Sequence, residues 1–248
     1  ARRIGVFMSV STVDFDGFGD EPLAENASWW DPDSRATVVL STPRLDPELW
    51  HAYLGGAERS YRRHGVQNAL DVAAIADGAD TATFCALLDD DGRVVGGVRA
   101  VGPLRGAGDA HAVREWAGQP GQAAVRKMID DRVPFGVAEI KSAWSTDDRG
   151  KDLGRATTAL LARNVFHVME LLGLQFCLAT SAPHVLQRWA SSGGVVAPIP
   201  PTPYPDERYL TKMMWWDRRT FVRHADPDQV AKILRETAAL APLTALAL

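Results

Sequence analysis

A strand that passes through a short turn into a long helix, and then into a second apolar strand, constrains the fold of this chain more than any other feature. Residues 136–146 have the pattern of a strand, and the turn 149–154 that follows carries two glycines. Apolar or small residues then recur at helical spacing as far as residue 172, and 174–180 is a second apolar strand. Strands joined through a helix lie parallel in one sheet, so the sequence predicts a βαβ crossover.

The remaining segments add antiparallel strands and further helices around this unit. Asp89-Asp90-Asp91-Gly92 separates two apolar runs and is typical of a hairpin turn. Asp46-Pro47-Glu48 combines an N-cap residue, a proline at the first helical position and an acid in the first turn, which predicts a helix start. Strands are predicted at 35–41, 81–88, 93–101, 195–197 and 208–216, and helices at 46–64, 110–117, 122–131, 183–191 and 227–239. This order predicts an α/β fold with a mixed sheet.

Composition and periodicity divide the chain into three parts. Residues 1–34 are rich in Asp, Gly, Ser and Trp and weakly periodic, so they are predicted to form an irregular N-terminal arm. Residues 35–220 hold the alternating strands and helices and are predicted to form one domain. Residues 221–248 carry the last helical pattern, interrupted by Pro242, and are predicted to form a helical tail packed on that domain.

Composition also excludes several classes of protein. With 46% hydrophobic and 23% charged residues, the chain of 248 residues is an ordinary globular sequence. Its net charge of −4 is not that of a general nucleic-acid binder. Cys85 and Cys177 lie in apolar runs and are expected to be buried free thiols rather than a disulfide framework or a zinc site. Neither a membrane-spanning apolar run nor a signal-peptide pattern is found, so a cytoplasmic protein is expected.

The turn Arg149-Gly150-Lys151-Asp152-Leu153-Gly154 is a candidate anion site. Where a strand feeds a helix through such a turn, backbone N–H groups of the first helical turn are left unpaired. With the positive end of the helix dipole they suit a phosphate or pyrophosphate, and Arg149, Lys151 and Arg155 add positive charge. The alternative is an ordinary solvated basic turn, and the hexamer alone leaves both interpretations open.

The same region is similar to the cofactor-binding core of the GNAT superfamily of acyl-CoA-dependent N-acyltransferases. That family carries Arg/Gln-x-x-Gly-x-Gly/Ala at this turn, and Arg149 and Gly154 match its first and last positions. Asp152 replaces the middle glycine, and an acid beside a pyrophosphate is unfavourable unless it turns away or caps the helix. The resemblance implies a thioester cofactor held by the turn and by backbone N–H groups of the preceding strand. The candidate cofactor-binding residues are therefore Ala143, Trp144, Ser145, Arg149, Gly150, Lys151, Asp152, Leu153, Gly154 and Arg155.

Two further stretches extend the resemblance. Residues 176–193 resemble the family's next strand and short helix, but Trp189 stands where many members have a tyrosine that protonates the leaving thiolate, and an indole cannot do so. Residues 92–103, a hairpin strand ending in an arginine and a proline, are similar to the branch that contains acyl-homoserine-lactone synthases and N-acyl amino acid synthases. That branch carries extra structure where this chain has the helical segment 102–135, and a glutamate-bearing strand that Val137-Ala138-Glu139-Ile140 resembles.

Four sets of side chains are candidates for the chemistry. Glu139 is the candidate general base, because it interrupts an apolar strand beside the expected acyl site; the alternative is a structural carboxylate paired with a neighbour such as Arg99. Arg99 is itself a candidate to hold a substrate carboxylate, or it belongs to a surface ion pair. His184 is a weaker candidate for an acid or base, since a loop histidine is more often simply exposed. Trp29-Trp30 and Trp215-Trp216 serve packing or line an acyl chain, and no metal-ligating spacing is found.

The resemblance implies an α/β fold of GNAT type: a mixed, mostly antiparallel central sheet flanked by helices, with extra helical elements. It also implies direct transfer of an acyl group to an amine without a covalent enzyme intermediate. The expected donor is acetyl-CoA or a longer acyl-CoA, or an acyl carrier protein thioester, and the expected acceptor is an amine or amino acid; a homodimer is compatible with the sequence. Asp152 and Trp189 leave a competing class open, a non-catalytic GNAT-like binding or regulatory module.

Overall fold

The structure is a computed structural model that describes residues 22–245, and this part of the chain forms nine strands and seven α-helices. The strands are β1 (Ala27–Asp31), β2 (Ala36–Ser41), β3 (Thr81–Leu88), β4 (Val94–Val101), β5 (Val137–Ser145), β6 (Phe176–Ser181), β7 (Val195–Val196), β8 (Thr202–Pro203) and β9 (Leu210–Asp217). The helices are α1 (Pro47–Arg63), α2 (Val72–Ile75), α3 (His111–Glu115), α4 (Gln122–Asp130), α5 (Gly150–Leu171), α6 (Pro183–Trp189) and α7 (Pro227–Ala245).

The strands form one sheet in the order β1-β2-β3-β4-β5-β6-β9-β7, and β8 pairs with β9. All neighbouring strands are antiparallel except β5 and β6. These two are joined through α5, which confirms the predicted βαβ crossover. The mixed, mostly antiparallel sheet confirms the predicted fold class.

Helices cover both faces of the sheet. Strand residues alternate between the faces, so Cys85 packs in the cluster that contains the apolar stripe of α5, whereas Phe84 packs against Trp50 of α1. Helices α5, α6 and α7 lie on the first face, and α1, α3 and α4 lie on the second. The second face also carries Glu139 of β5, which contacts α3.

Strand β1 corrects the prediction that residues 1–34 are irregular. Ala27–Asp31 pairs with β2 along its whole length, from Ala27 opposite Leu40 to Asp31 opposite Ala36. Local pattern did not predict this strand, because the charged Asp31 is buried and its partner is 132 residues away in the sequence. Residues 1–21 of the predicted arm lie outside the described part of the chain, and the three-part division stays a prediction.

Four charged or titratable residues tie the last helix to the body of the protein; we call Asp31, Arg163, His167 and Glu236 the α5–α7 cluster. Arg163 Nε donates to both carboxylate oxygens of Glu236 at 3.1 Å, and Nη2 donates to Asp31 Oδ1 at 3.1 Å. His167 Nε2 lies 2.8 Å from Glu236 Oε2. All four side chains are almost fully buried. The cluster explains why α7 docks on α5; this helix runs past its predicted end at residue 239 to Ala245.

The two cysteines are buried free thiols, as the sequence predicts. Burial raises the pKa of the Cys85 thiol and of the Cys177 thiol above the ordinary value, so neither is a nucleophile near neutral pH. Within residues 22–245, none of the helices is both long enough and apolar enough to cross a lipid bilayer.

Candidate functional site

Strands β5 and β6 pair over only part of their length. Their parallel register ends where Ile140 lies opposite Ala179. Both strands continue beyond this pair but no longer pair with each other, so the sheet is open between Lys141–Ser145 of β5 and Thr180–Ser181 of β6. We call this opening the β5–β6 gap. Because α5 follows β5 after a short turn, the N-terminus of α5 lies close to the end of the gap.

A bulge in β5 shapes one wall of the gap. The register with β4 shifts between Gly97 and Arg99, so two residues of β5 face one residue of β4. Within the bulge Ser142 has a φ of 54°, a conformation that non-glycine residues seldom adopt. Its carbonyl oxygen accepts a hydrogen bond from the Tyr53 hydroxyl at 2.8 Å, which holds the bulge against α1.

The predicted cofactor-binding residues Ala143, Trp144 and Ser145 form the last part of this wall. Trp144 is buried in the core beneath α1. The N–H of Thr146 donates to the Val95 carbonyl of β4 at 2.8 Å. Strand alternation therefore turns the N–H of Ser145 to the opposite side, toward the gap, where it can pair with an extended ligand.

Arg99 is tied into an ion pair. Its Nη1 donates to Asp80 Oδ1 at 2.8 Å and to the Thr81 hydroxyl at 2.9 Å, and its Nε donates to the Ser142 hydroxyl at 3.2 Å. These contacts match the ion-pair alternative of the sequence, although the guanidinium is buried rather than on the surface. A role for Arg99 in holding a substrate carboxylate stays a prediction.

The turn before α5 leaves backbone N–H groups open to a ligand. Arg149 is the N-cap residue, and no side chain among the described residues caps the helix. Its guanidinium donates to the carbonyls of Ser34 and Arg35, each at 2.8 Å, and these hydrogen bonds stabilise the β1–β2 turn. Lys151 is exposed, and the Cα of Gly154 faces open space. An anion can therefore approach the helix terminus, with Lys151 rather than Arg149 beside it.

Asp152, the departure from the family pattern, points into solvent. Its carboxylate is fully exposed and lies 4.0 Å from the exposed guanidinium of Arg155. Since it makes no capping hydrogen bond, it takes the first of the two conformations that the sequence allowed, turned away from the helix terminus. Leu153, the next residue of α5, is half-buried.

Glu139 is completely buried on the second face of the sheet. One carboxylate oxygen accepts the backbone N–H of His111 at 2.6 Å, and the other accepts that of Ala112 at 2.9 Å. Glu139 thus satisfies the first N–H groups of α3. These contacts match the structural alternative, a carboxylate paired with a neighbour such as Arg99, with Lys141 as the neighbouring charge, its Nζ 3.9 Å away. Its role as a general base stays a prediction.

Glu139 belongs to a group of charged residues between β5 and α3, which we call the β5–α3 cluster: His111, Glu115, Glu139 and Lys141. Lys141 Nζ lies 2.9 Å from Glu115 Oε1 and 2.9 Å from His111 Nδ1. His111 Nδ1 also lies 2.9 Å from Glu115 Oε1, so three groups form a closed triangle. Lys141 is the first residue of β5 beyond the paired part of the strand, so the cluster lies at the start of the β5–β6 gap.

The cluster holds its two central charges firmly. Burial alone would raise the pKa of Glu115, but the Lys141 charge and hydrogen bonds from His111, Lys141 and Thr180 outweigh it and lower that pKa to about 2. Burial alone would lower the pKa of Lys141, but the charges of Glu115 and Glu139 raise it above the ordinary value. At neutral pH the two groups are therefore a carboxylate and an ammonium.

His111, Glu115 and Glu139 bring ligand atoms within 4.8 Å of one another, the grouping that a metal ion needs. Lys141 Nζ lies within 3.9 Å of all three side chains, and an ammonium there takes the place of a cation. The cluster is therefore built as a hydrogen-bonded site around the Glu115–Lys141 ion pair rather than as a metal centre.

Sequence reasoning missed His111, Glu115 and Lys141. His111 and Glu115 are four residues apart in one helix, which places both on the same face, and this spacing was the available signal. Lys141 could be found only as a charged residue on the strand that bears Glu139. Nothing in the sequence brings α3 to β5, because the contact depends on how the segment 102–135 folds back over the sheet.

The other predicted side chains are exposed or pack in the core. His184 is exposed in the first turn of α6. Trp189 is buried and packs against Trp216, with ring centroids 6.0 Å apart, so it is a core residue. Trp215 is also buried, and Trp29 packs edge-on against His167 at 5.1 Å, so packing rather than an acyl wall describes these contacts.

The fold is shared with solved N-acyltransferase structures. FeeM, an N-acyl amino acid synthase from uncultured soil microbes, superposes with a TM-score of 0.54 over 77% of this chain and 95% of its own, at 12% identity. BjaI, a CoA-dependent acyl-homoserine lactone synthase solved with SAM and isopentyl-CoA, gives 0.52 over 82% and 90% at 15% identity. The acyl-homoserine lactone synthase LasI gives 0.51 over 73% and 90% at 11% identity. At this identity the likeness shows the fold alone.

Close sequence relatives come from mycobacteria, while no protein-family model matches the chain. The uncharacterized protein Rv1356c of Mycobacterium tuberculosis strain H37Rv is 53% identical over 231 residues, which cover 90% of this chain and 87% of the relative. Mb1391c of Mycobacterium bovis matches to the same extent. The chain therefore has the GNAT fold, as its motifs predict, and belongs to the family of these mycobacterial proteins.

Proposed function

We propose that this protein is an N-acyltransferase that moves an acyl group from a thioester donor to an amine. The observation that carries the proposal is the β5–β6 gap, which opens beside a helix N-terminus and beside a buried charged cluster. This arrangement occurs in a fold that the chain shares with an N-acyl amino acid synthase and with acyl-homoserine lactone synthases.

The donor is expected to lie along β5 with its phosphates at the start of α5. The open N–H groups of α5, the helix dipole and Lys151 favour the phosphates. A pantetheine arm is an extended chain with amide groups, so it can pair with the free edge of β5 as an added strand would. Acyl-CoA and an acyl carrier protein thioester share this arm, and acetyl or longer acyl chains fit the same proposal.

The reaction requires the amine nitrogen to attack the thioester carbonyl carbon. The C–N bond forms as the C–S bond breaks, the amine loses a proton and the thiolate gains one. Holding both reactants in one gap supplies much of the rate, because it removes the entropy cost of their encounter. Backbone N–H groups of β5 that face the gap are placed to stabilise the oxyanion of the tetrahedral intermediate.

A non-catalytic binding module is the second candidate, and Trp189 and Asp152 favour it. Trp189 is buried in the core and cannot protonate a thiolate. Asp152 places a free carboxylate near the expected phosphate site. Such a module would bind the donor without turnover, so binding and turnover must be measured separately.

Calorimetric titration with CoA, acetyl-CoA and longer acyl-CoAs tests donor binding. Lys151→Glu is expected to weaken CoA binding about 3- to 10-fold, because it reverses an exposed charge beside the phosphates. Arg219→Glu is the matched control: it reverses an exposed charge beyond Asp217, at the opposite end of the sheet, and leaves affinity unchanged. Absence of binding to every CoA species and to acyl carrier protein would contradict the proposal.

A further inference from the structure

We infer that His111 is the general base that takes the proton from the acceptor amine, and that Glu115 and Lys141 are positioning residues for its imidazole ring. This inference rests on the proposed acyltransferase function and deepens it. It moves the base from Glu139, the residue that the sequence favours, to a neighbour of the same cluster.

His111 lies at the entrance to the β5–β6 gap. Its Nδ1 is 2.9 Å from Lys141 Nζ, and Lys141 is the first residue of β5 after the strands part. Glu115, the other partner of this ring, is also close to Thr180, the first such residue of β6. The ring therefore lies over the point where both walls of the gap begin, on the face of the sheet covered by α3.

Within the β5–α3 cluster, His111 has by far the most open side chain. It is 34% exposed, whereas Glu115 is 1% exposed and Glu139 is fully buried. Both close polar contacts of the ring are at Nδ1, only one of which can be a hydrogen bond in a given tautomer, and Nε2 has no partner among the described residues. A substrate amine can reach Nε2, but it cannot reach the oxygens of Glu139, which are occupied by backbone N–H groups of α3.

Glu115 orients the ring so that Nε2 can accept a proton. Nδ1 cannot both donate to Glu115 and accept from the Lys141 ammonium, and the proton is assigned to Nδ1: Nδ1–H and Lys141 then both donate to Glu115, and the lone pair is left on Nε2. Lys141 balances the carboxylate and keeps it ionised, so that Glu115 supports the imidazolium that forms on proton uptake. One oxygen of Glu115, Oε2, is buried without a hydrogen-bond partner among residues 22–245, which leaves the carboxylate free to respond to the ring.

Charged and titratable side chains from several neighbouring elements surround His111. Glu115 approaches from α3, and Lys141 and Glu139 approach from β5. Tyr204, in the segment before β9, packs edge-on against the imidazole with ring centroids 5.7 Å apart. Tyr61 of α1 interacts with Lys141, and burial raises the pKa of both tyrosine hydroxyls, so they stay neutral.

The proton transfers balance without any further reactant. The neutral amine attacks the thioester carbonyl carbon, and His111 Nε2 takes the proton that the nitrogen loses. The C–S bond then breaks with its electron pair on sulfur. The imidazolium returns the proton to the thiolate, so His111 ends the cycle neutral and no separate acid at Trp189 is required.

The turnover of two histidine variants tests the assignment of His111 as the general base. His111→Gln is expected to lower kcat/KM about 10²- to 10⁴-fold while CoA affinity measured by calorimetry is retained. His167→Gln, a buried histidine outside the gap, is the matched control and keeps turnover. In His111→Gly, added imidazole is expected to restore part of the rate, an effect that a structural role would not produce. A His111→Gln rate within threefold of the wild type would overturn the inference.

The tautomer gives a readout that needs no substrate. Nitrogen-15 NMR of the full chain, labelled in its histidines, is expected to show the neutral His111 ring protonated at Nδ1, and Glu115→Gln is expected to shift the proton toward Nε2. A wild-type ring protonated at Nε2 would overturn the inference even if acyl transfer is observed. Failure of the wild type to bind any donor would instead contradict the proposed function, and the role of His111 with it.

Discussion

The α5–α7 cluster and the β5–α3 cluster each combine two carboxylates, one basic side chain and a histidine, but they differ in exposure. In the first, Arg163 and His167 donate to buried carboxylates of Asp31 and Glu236, and every side chain is at least nine-tenths buried. In the second, the cation is Lys141, one carboxylate oxygen has no partner among residues 22–245, and His111 is one-third exposed. Similar combinations of groups thus serve docking where they are fully buried and are open to a substrate where they meet the β5–β6 gap.

Removing the Arg163 charge from the α5–α7 cluster is expected to have the largest effect on stability. Arg163→Met leaves two carboxylates buried without their cation and is expected to lower the free energy of unfolding by about 3–5 kcal/mol. Denaturant unfolding measures the change. Arg155→Met, which removes an exposed arginine of the same helix, is the control and should leave the midpoint unchanged. A loss below about 1 kcal/mol for Arg163→Met would show that the cluster does not anchor α7.

Acid pH is expected to have the second largest effect on stability, through the α5–α7 cluster. Burial alone would raise the pKa of Glu236, but His167 and Arg163 outweigh it and lower the pKa from 4.5 to about 2. A depressed carboxyl pKa stabilises the fold above the unfolded value, and this stability is lost as the pH falls from about 4.5 through about 2, a total of about 3 kcal/mol.

Glu236→Gln checks this window. Since glutamine does not titrate, the difference in unfolding free energy between wild type and variant should shrink as the pH falls below about 4.5. Chemical unfolding at a series of pH values measures it. A difference that stays constant down to pH 2 would contradict the assigned ionisation of Glu236.

Substituting the histidine of each cluster, His167 or His111, distinguishes the roles of the two clusters. His167→Gln breaks a buried hydrogen bond to Glu236 and is expected to lower the free energy of unfolding by about 1–3 kcal/mol while turnover is kept. His111→Gln is expected to do the reverse: turnover falls, and stability changes by about 0.5 kcal/mol or less because the ring is partly exposed. Thermal unfolding and initial rates on the same preparations compare them. Equal effects of both substitutions on both measurements would remove the distinction.

Asp152 is expected to give the smallest effect. Asp152→Gly removes an exposed carboxylate beside the expected phosphate site and restores the family pattern, so CoA should bind about 2- to 4-fold more tightly at low salt. Calorimetry at two salt concentrations measures this. Weaker binding would indicate that Asp152 contributes to the donor site rather than opposing it.

The sequence predicted the parts of the fold that local patterns encode. The strand Thr81–Leu88, the start of α1 after Asp46 and the crossover through α5 follow from alternation, capping and periodicity. Strand β1 could not be predicted, because Asp31 is compensated only by Arg163, far away in the chain. For the same reason the hydrogen bonds of Arg149 to carbonyls of the β1–β2 turn could not be predicted, and its contact with a cofactor stays a prediction.

The sequence predicted part of the structure around the candidate site. The motif located the start of α5, and Glu139 lies in the β5–α3 cluster, while the roles assigned to these residues stay predictions. Which member of the cluster is open to a substrate depends on how α3 packs on β5. Burial and hydrogen bonding set that property, and a sequence pattern does not carry it.

We propose that a thioester donor occupies the β5–β6 gap beside the β5–α3 cluster. Nitrogen-15 NMR of the histidine side chains during titration with a non-hydrolysable acyl-CoA analogue tests this placement. The signals of His111 are expected to shift as the analogue saturates the protein, while those of buried His167 stay unchanged. Saturable binding that leaves His111 unshifted would contradict it.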